Sequence, residues 1–191
     1  MTAVRSPALQ SALGTTHPIM DYTIRPAEAA DSAQIMRMIR ELAEYEKITH
    51  LIKLTEEVLH QDGFGPTPWF RCLVAELPES EKGESGRPFA GYALFAHSYS
   101  SWTGRTLHLE DLYVCPQFRG RGLGRRLMIR VAQEGVKSGC SQIHLSVLKW
   151  NSPAIGLYRS LGAENLTEEP GYQVMSFHEE ALRNMAKEEP Q

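Results

Sequence analysis

Arg119, Arg121, Arg125 and Arg126 surround Gly120, Gly122 and Gly124 in the run Gln117-Phe118-Arg119-Gly120-Arg121-Gly122-Leu123-Gly124-Arg125-Arg126, which follows an apolar stretch and opens an amphipathic one. Residues of these types at this spacing make a cradle for a pyrophosphate. Glycine lets the backbone approach an anion closely, and the first turn of the next helix offers N–H groups with no intrahelical partner and a partial positive charge. The arginines add formal charge at the same place. The spacing Arg119, Gly122, Gly124 is neither the Gly-x-x-x-x-Gly-Lys-Ser/Thr of nucleotide hydrolases nor the Gly-x-Gly-x-x-Gly of dinucleotide folds. Taken alone, the segment is also compatible with a Gly-rich turn carrying solvated arginines.

The elements that must position this loop alternate in type. Tyr22 to Arg25 reads as a short strand ended by Pro26, and Asp31 with Gln34 reads as a capping box for a helix burying Ile35, Met38, Ile39 and Leu42. Thr55 caps a second, short helix that the Asp62 to Pro66 segment stops. Phe70–Ala75 and Phe89–Tyr99 are two strands around the polar loop Pro78 to Pro88, and Leu107–Val114 is the next strand. After the Gly loop, Leu123, Leu127 and Val131 with Met128, Ala132 and Val136 predict a wide buried helix face. Gln142–Leu148 is a strand, Ser152-Pro153 starts a helix that Gly162 ends, and a last strand runs around Tyr172 to Phe177. The order β, α, α, β, β, β, α, β, α, β implies an α/β protein with a mixed sheet and helices on its faces.

Composition narrows the function classes. At 191 residues, 42% hydrophobic and 23% charged, the chain suits one globular domain with a sizeable core, spanning 21–182 between a disordered extension (1–20) and a charged tail (183–191). No apolar run approaches the ~20 residues needed to span a bilayer, and a formal charge of −3 argues against a nucleic-acid partner. Acidic surface outside the Arg loop would suit a cationic small substrate. The three cysteines, Cys72, Cys115 and Cys140, are far apart and fit no metal-ligand or Cys-x-x-Cys spacing, so no metal is expected and a reducing, cytoplasmic location is.

The Arg119-x-x-Gly122-x-Gly124 loop resembles that of the GNAT acetyltransferases. Seven further segments narrow the resemblance to the spermidine/spermine N1-acetyltransferase family with its thialysine-acetylating branch: Ile24–Ala27, Glu41–Glu46, Asp62–Gly65, Cys72–Glu76, Leu109–Val114, Trp150-Asn151 and Leu157–Ala163. They occur in order and cover about residues 21–180. The resemblance implies the GNAT acyl-CoA N-acyltransferase fold, acetyl-CoA as cofactor, a small polycationic or lysine-like amine as acceptor, and a homodimer. It implies that the backbone of Leu112, Tyr113 and Val114 pairs with the pantetheine arm, that Arg119, Gly120, Arg121, Gly122, Leu123, Gly124 and Arg125 hold the pyrophosphate, and that Asn151, Ser152, Pro153 and Ala154 flank the thiol end.

Acetyl transfer from a thioester to an amine needs a neutral amine, a place for the oxyanion and a proton for the departing thiolate. Glu110, on the strand before the loop, is the candidate base, with a pure substrate anchor as its alternative. Asp111 points to the opposite face if that strand is regular, which leaves it a structural or solvated carboxylate. The resemblance makes Tyr158 the general acid, whereas its helical position alone fits a core tyrosine with a bonded hydroxyl. Tyr45, Glu46, Trp102, Glu110, His144, Leu145 and Ser146 are the candidate substrate contacts, aromatic rings and acids around a cation. His97 and His108 receive no role. Gly139 to Gln142 and Leu166 to Glu168 lean toward the thialysine branch and His144 toward the polyamine branch, so the acceptor stays open between them.

Overall fold

A computed structural model of the chain describes residues 22–82, 88–167 and 178–186. The expected N-terminal extension, residues 83–87 of the polar loop, the expected strand Tyr172–Phe177 and the tail from 187 lie outside the described residues. The chain forms two compact units, Met1–Leu148 and Lys149–Gln191.

The first unit is built on a five-stranded sheet in the order β1 (Thr23–Pro26), β2 (Arg71–Glu76), β3 (Phe89–Ser100), β4 (Gly104–Val114), β5 (Gln142–Leu145). The first three pairings are antiparallel and β4–β5 is parallel, so the sheet is mixed, as the alternation of elements implies. Cys72 to Ala75 of β2 and Phe89 to Phe95 of β3 are buried without a break, the pattern of strands covered on both faces. Helices α1 (Ser32–Glu46) and α2 (Glu56–Phe64) cover one face and α3 (Leu123–Lys137) the other. The second unit contains α4 (Ser152–Ser160) and α5 (Glu179–Met185), the latter past the expected last strand and running into the expected charged tail. Among the described residues no helix is long and apolar enough to cross a membrane.

Several local expectations change. Asp31 does not cap α1 through a capping box with Gln34. Its carboxylate is taken by Arg25, at 2.7 Å, and by the N–H of Glu28, at 2.8 Å, where it completes the capping box of the preceding 3-10 turn Ala29–Asp31 instead of capping α1. Arg25 also holds Glu76 at 2.9 Å, tying β1 to β2 and to the start of α1. Ile35 and Met38 are buried as expected, Met36 joins them, and Ile39 and Leu42 are half-buried. On α3 the buried face is narrower than predicted: Leu123, Leu127, Met128 and Val131 are inside, but Ala132 is exposed and Val136 is 77% exposed. Gly135 takes the inner position there because Leu107 lies 3.0 Å from where its Cβ would stand. Strand β5 stops at Leu145, three residues early.

Helix α1 ends in a Schellman turn. The N–H of Ile48 donates to the Ala43 carbonyl (2.9 Å) and that of Lys47 to the Glu44 carbonyl (3.2 Å). The turn requires a left-handed residue, and Lys47 occupies it at φ 61°, ψ 34°, a conformation that crowds any Cβ. Lys47→Gly is expected to raise stability by about 0.5–1 kcal/mol, measured as a higher urea midpoint at unchanged slope. An unchanged or lower midpoint would mean that Lys47 carries compensating contacts.

Candidate functional site

Strand β4 carries one residue more than its partner. Leu94 pairs with Asp111 and the next residue, Phe95, pairs with Leu109, so Glu110 has no partner on β3 and forms a β-bulge. A bulge inverts the alternation of side chains. Leu107 packs toward Gly135 of α3, while Tyr113, an even number of residues on, turns to the other face and donates its hydroxyl to Glu41 Oε2 of α1 at 3.1 Å. Asp111 shares that second face with Tyr92 and Tyr113. It therefore faces α1, where a regular strand would have turned it toward α3.

Three carboxylates meet on the α1 side of the sheet. Asp111 accepts a 2.8 Å hydrogen bond from the buried Tyr92 hydroxyl. Burial pushes its pKa up to about 6, opposed by the Tyr92 bond and assisted by the charges of Glu110 and Glu46. Glu46, at the end of α1, is also raised by burial. Tyr92 is held in its neutral, donating form by its burial and by the Asp111 charge. Glu110 itself is open, its side chain 66% exposed, with His108 Nε2 at 3.4 Å from its Oε2. His108 stands in register with His144 of β5, and Leu109 with Leu145. The structure thus gathers Glu46, Glu110 and His144 with Asp111, Tyr92 and His108, three residues to which the sequence gave no functional role. Trp102 stands apart in the β3–β4 turn, 81% exposed and about 20 Å along the strand from Glu110 at ~3.4 Å per residue. Ser146 is exposed just past β5.

The same strand offers an open edge. Pairing with β5 ends at Leu109 and Leu145, leaving Glu110 to Val114 beyond it. The N–H of Cys115 donates to the Ala90 carbonyl at 2.9 Å, so by alternation the peptide groups of Cys115 and Tyr113 turn to β3 and those of Leu112 and Val114 to the open side. Of the three backbone contacts expected for the pantetheine arm, two are presented outward. Arg119 Nε donates to the Val114 carbonyl at 2.8 Å, tying the next loop to this edge.

That loop has the conformation its glycines permit. Gly120 and Gly122 have φ of 73° and 76°, and Gly122 is the N-cap of α3 without any side chain to satisfy the first turn. Leu123 anchors the turn in the core, Gly124 and Arg125 follow in it, and Arg119, Gly120 and Arg125 are exposed beside it. Arg126 is used structurally, reaching the Tyr22 carbonyl at 2.9 Å. An uncapped helix start with positive φ at two glycines and arginines on its rim is the donor set a pyrophosphate needs. The guanidinium of Arg119 lies over the ring of Tyr45, 4.6 Å from its centroid.

The remaining candidates belong to the second unit. Asn151 caps α4 with its side chain, accepting from the N–H of Ala154 at 3.4 Å, and Ser152-Pro153 form the first turn as expected. Tyr158 is half-buried in the last turn of α4. Cys72 and Cys115 are buried and Cys140 partly so, none of them in a disulfide; burial pushes the Cys72 thiol far up, which leaves it unreactive. Among the described residues no group of three or more His, Cys, Asp or Glu is placed to hold a metal ion.

Residues 36–163 match the acetyltransferase (GNAT) family. The chain is 48% identical over 163 residues to a thialysine N-epsilon-acetyltransferase of Mus musculus, covering 85% of this chain and 96% of that one. It is 40% identical over 177 residues to a spermidine/spermine N(1)-acetyltransferase-like protein 1 of Homo sapiens, covering 92% of this chain and 25% of that longer one. Among solved structures, an aminoglycoside acetyltransferase from an uncultured soil metagenomic sample has the same fold at TM-score 0.62 and 18% identity, over 82% of this chain and 94% of that one.

The raised pKa of Asp111 carries a signed consequence for stability. Between the ordinary value of 3.8 and about 6 the folded chain binds a proton that the unfolded chain has released, so the stability this provides is lost as pH rises through 6. Asp111→Asn keeps an acceptor for Tyr92 and removes the buried charge. It is expected to stabilise the fold at pH 7.5 by on the order of 2 kcal/mol and to flatten the fall in stability between pH 4 and 6. A variant less stable at pH 7.5 would contradict this.

Proposed function

Because the chain belongs to the acetyltransferase (GNAT) family, it is an acetyl-CoA-dependent N-acetyltransferase, and we propose that its acceptor is the primary amine of a small polycationic or lysine-like molecule. The observation that carries this reading is the meeting of Glu46, Glu110 and Asp111 at the bulge of β4, beside an edge that a strand-like arm can join. Three carboxylates so close repel one another, and a cationic amine relieves that repulsion. The relatives' names, thialysine and spermidine/spermine acetyltransferases, support the same class of acceptor.

Acetyl-CoA, when bound, supplies the acetyl thioester. In this reading the outward peptide groups of Leu112 and Val114 pair with the pantetheine arm, the Arg119 to Arg125 loop holds the pyrophosphate, and Asn151 to Ala154 flank the thiol end. Glu46 and Asp111 hold the acceptor as a cation. Glu110, the most solvent-accessible of the three carboxylates, accepts the ammonium proton directly or through a water, and the amine becomes nucleophilic. Tyr158 returns a proton to the departing thiolate. The family resemblance extends the proposal to a homodimer, and three cysteines without a disulfide fit a reducing, cytoplasmic setting.

The test is consumption of acetyl-CoA by the purified protein with thialysine, spermidine, spermine and a lysine peptide as parallel acceptors. A free amine is expected to be turned over, with kcat/KM lowered at least about 10²-fold by Glu110→Gln and by Tyr158→Phe. Preference for the peptide would make the protein a lysine acetyltransferase of proteins instead. Tight CoA binding without turnover of any acceptor would make it a sensing module.

A further inference from the structure

Tyr45 lies next to Glu46 in sequence, yet its ring faces the cofactor loop. Arg119 places its guanidinium 4.6 Å from the Tyr45 ring centroid and 5.7 Å from that of Tyr113, while its Nε is committed to the Val114 carbonyl at 2.8 Å. Both rings are themselves fixed. Tyr113 is buried and bonds Glu41 at 3.1 Å, one turn before Tyr45 on α1, and the Schellman turn at Lys47 ends the helix two residues after Tyr45. A guanidinium over two rings and anchored through Nε loses most of its rotamer freedom before any ligand arrives. Its remaining donors are then aimed rather than searching, which removes an ordering cost from anion binding.

We propose that Tyr45 is a positioning residue for coenzyme A: by stacking on Arg119 it pre-organises the arginine that opens the pyrophosphate loop, and so joins the end of α1 that carries Glu46 to the cofactor loop. The inference rests on the reading above, in which this loop holds the pyrophosphate. It separates two neighbours that the sequence groups together. Glu46 acts on the acceptor by charge, and Tyr45 acts on the cofactor through Arg119.

The experiment measures the dissociation constant of coenzyme A by titration calorimetry, without acceptor, for the wild type, Tyr45→Phe, Tyr45→Ala, Arg119→Ala and the Tyr45→Ala/Arg119→Ala double variant. Tyr45→Phe keeps the ring and is expected to bind within twofold of wild type, whereas Tyr45→Ala weakens binding about 2- to 5-fold, the scale of a partly exposed cation–π contact. In the Arg119→Ala background the Tyr45→Ala effect is expected to vanish, which a general loosening of the fold would not produce. An unchanged constant in Tyr45→Ala, or an equal loss with and without Arg119, overturns the inference and leaves the proposed function standing. Failure of the wild type to bind coenzyme A overturns the proposed function and this inference together.

Discussion

The single extra residue in β4 is the constraint from which the site follows. Strand β4 must pair with β3 from Gly104 to Val114, yet it needs apolar side chains on the α3 face at one end and polar ones on the α1 face at the other. A regular strand would keep Leu107, Leu109, Asp111 and Tyr113 on one face. The bulge at Glu110 inverts the second half, so Asp111 and Tyr113 join Tyr92 beneath α1. It also re-aims the strand just where β5 stops pairing, which leaves the peptide groups of Leu112 and Val114 turned to an open edge. One irregularity therefore places the carboxylates and the cofactor edge side by side.

The electrostatics show what the fold gives up for this. A carboxylate that prefers its proton until about pH 6 destabilises the neutral-pH fold, and the tyrosine that bonds it lowers that cost without cancelling it. A lysine in a left-handed turn after α1 adds backbone strain directly after Glu46. The counterweight is a continuous core through β2, β3 and the inner face of α3, with Arg25 tying β1, β2 and the start of α1 together from outside. Stability is concentrated in the middle of the sheet, and strain at the edge where chemistry is proposed.

Much of this is legible in the residues. The Gly and Arg loop at the start of α3, the Thr55 cap, the strand pairings around the polar loop and the mixed sheet follow from local chemistry and periodicity, and the structure repeats them, whereas the cap of α4 falls on Asn151, one residue before the expected start at Ser152. What escapes is set by tertiary pairing. Nothing in Leu109-Glu110-Asp111-Leu112 marks an extra residue, so alternation turns Asp111 toward the wrong face. Asp31 looks like the cap of α1 but serves the turn before it and Arg25, and Val136 continues an apolar line on α3 whose inner place a glycine takes. The stacking of Arg119 on Tyr45 joins residues 74 apart in sequence, which no local pattern shows. His108 is unremarkable until β5 sets His144 beside it and the strand sets Glu110 within 3.4 Å.

The proposed site depends most on the edge of β4, and backbone amide hydrogen exchange reads that edge residue by residue. In the free protein the amides of Tyr113 and Cys115, turned to β3, should exchange slowly, and those of Leu112 and Val114 quickly. On saturation with coenzyme A, Leu112 and Val114 should become protected while Tyr113 and Cys115 change little. Equal protection of all four in the free protein, or no gain at Leu112 and Val114 on binding, would contradict the bulged, open-edged strand on which the proposed site is built.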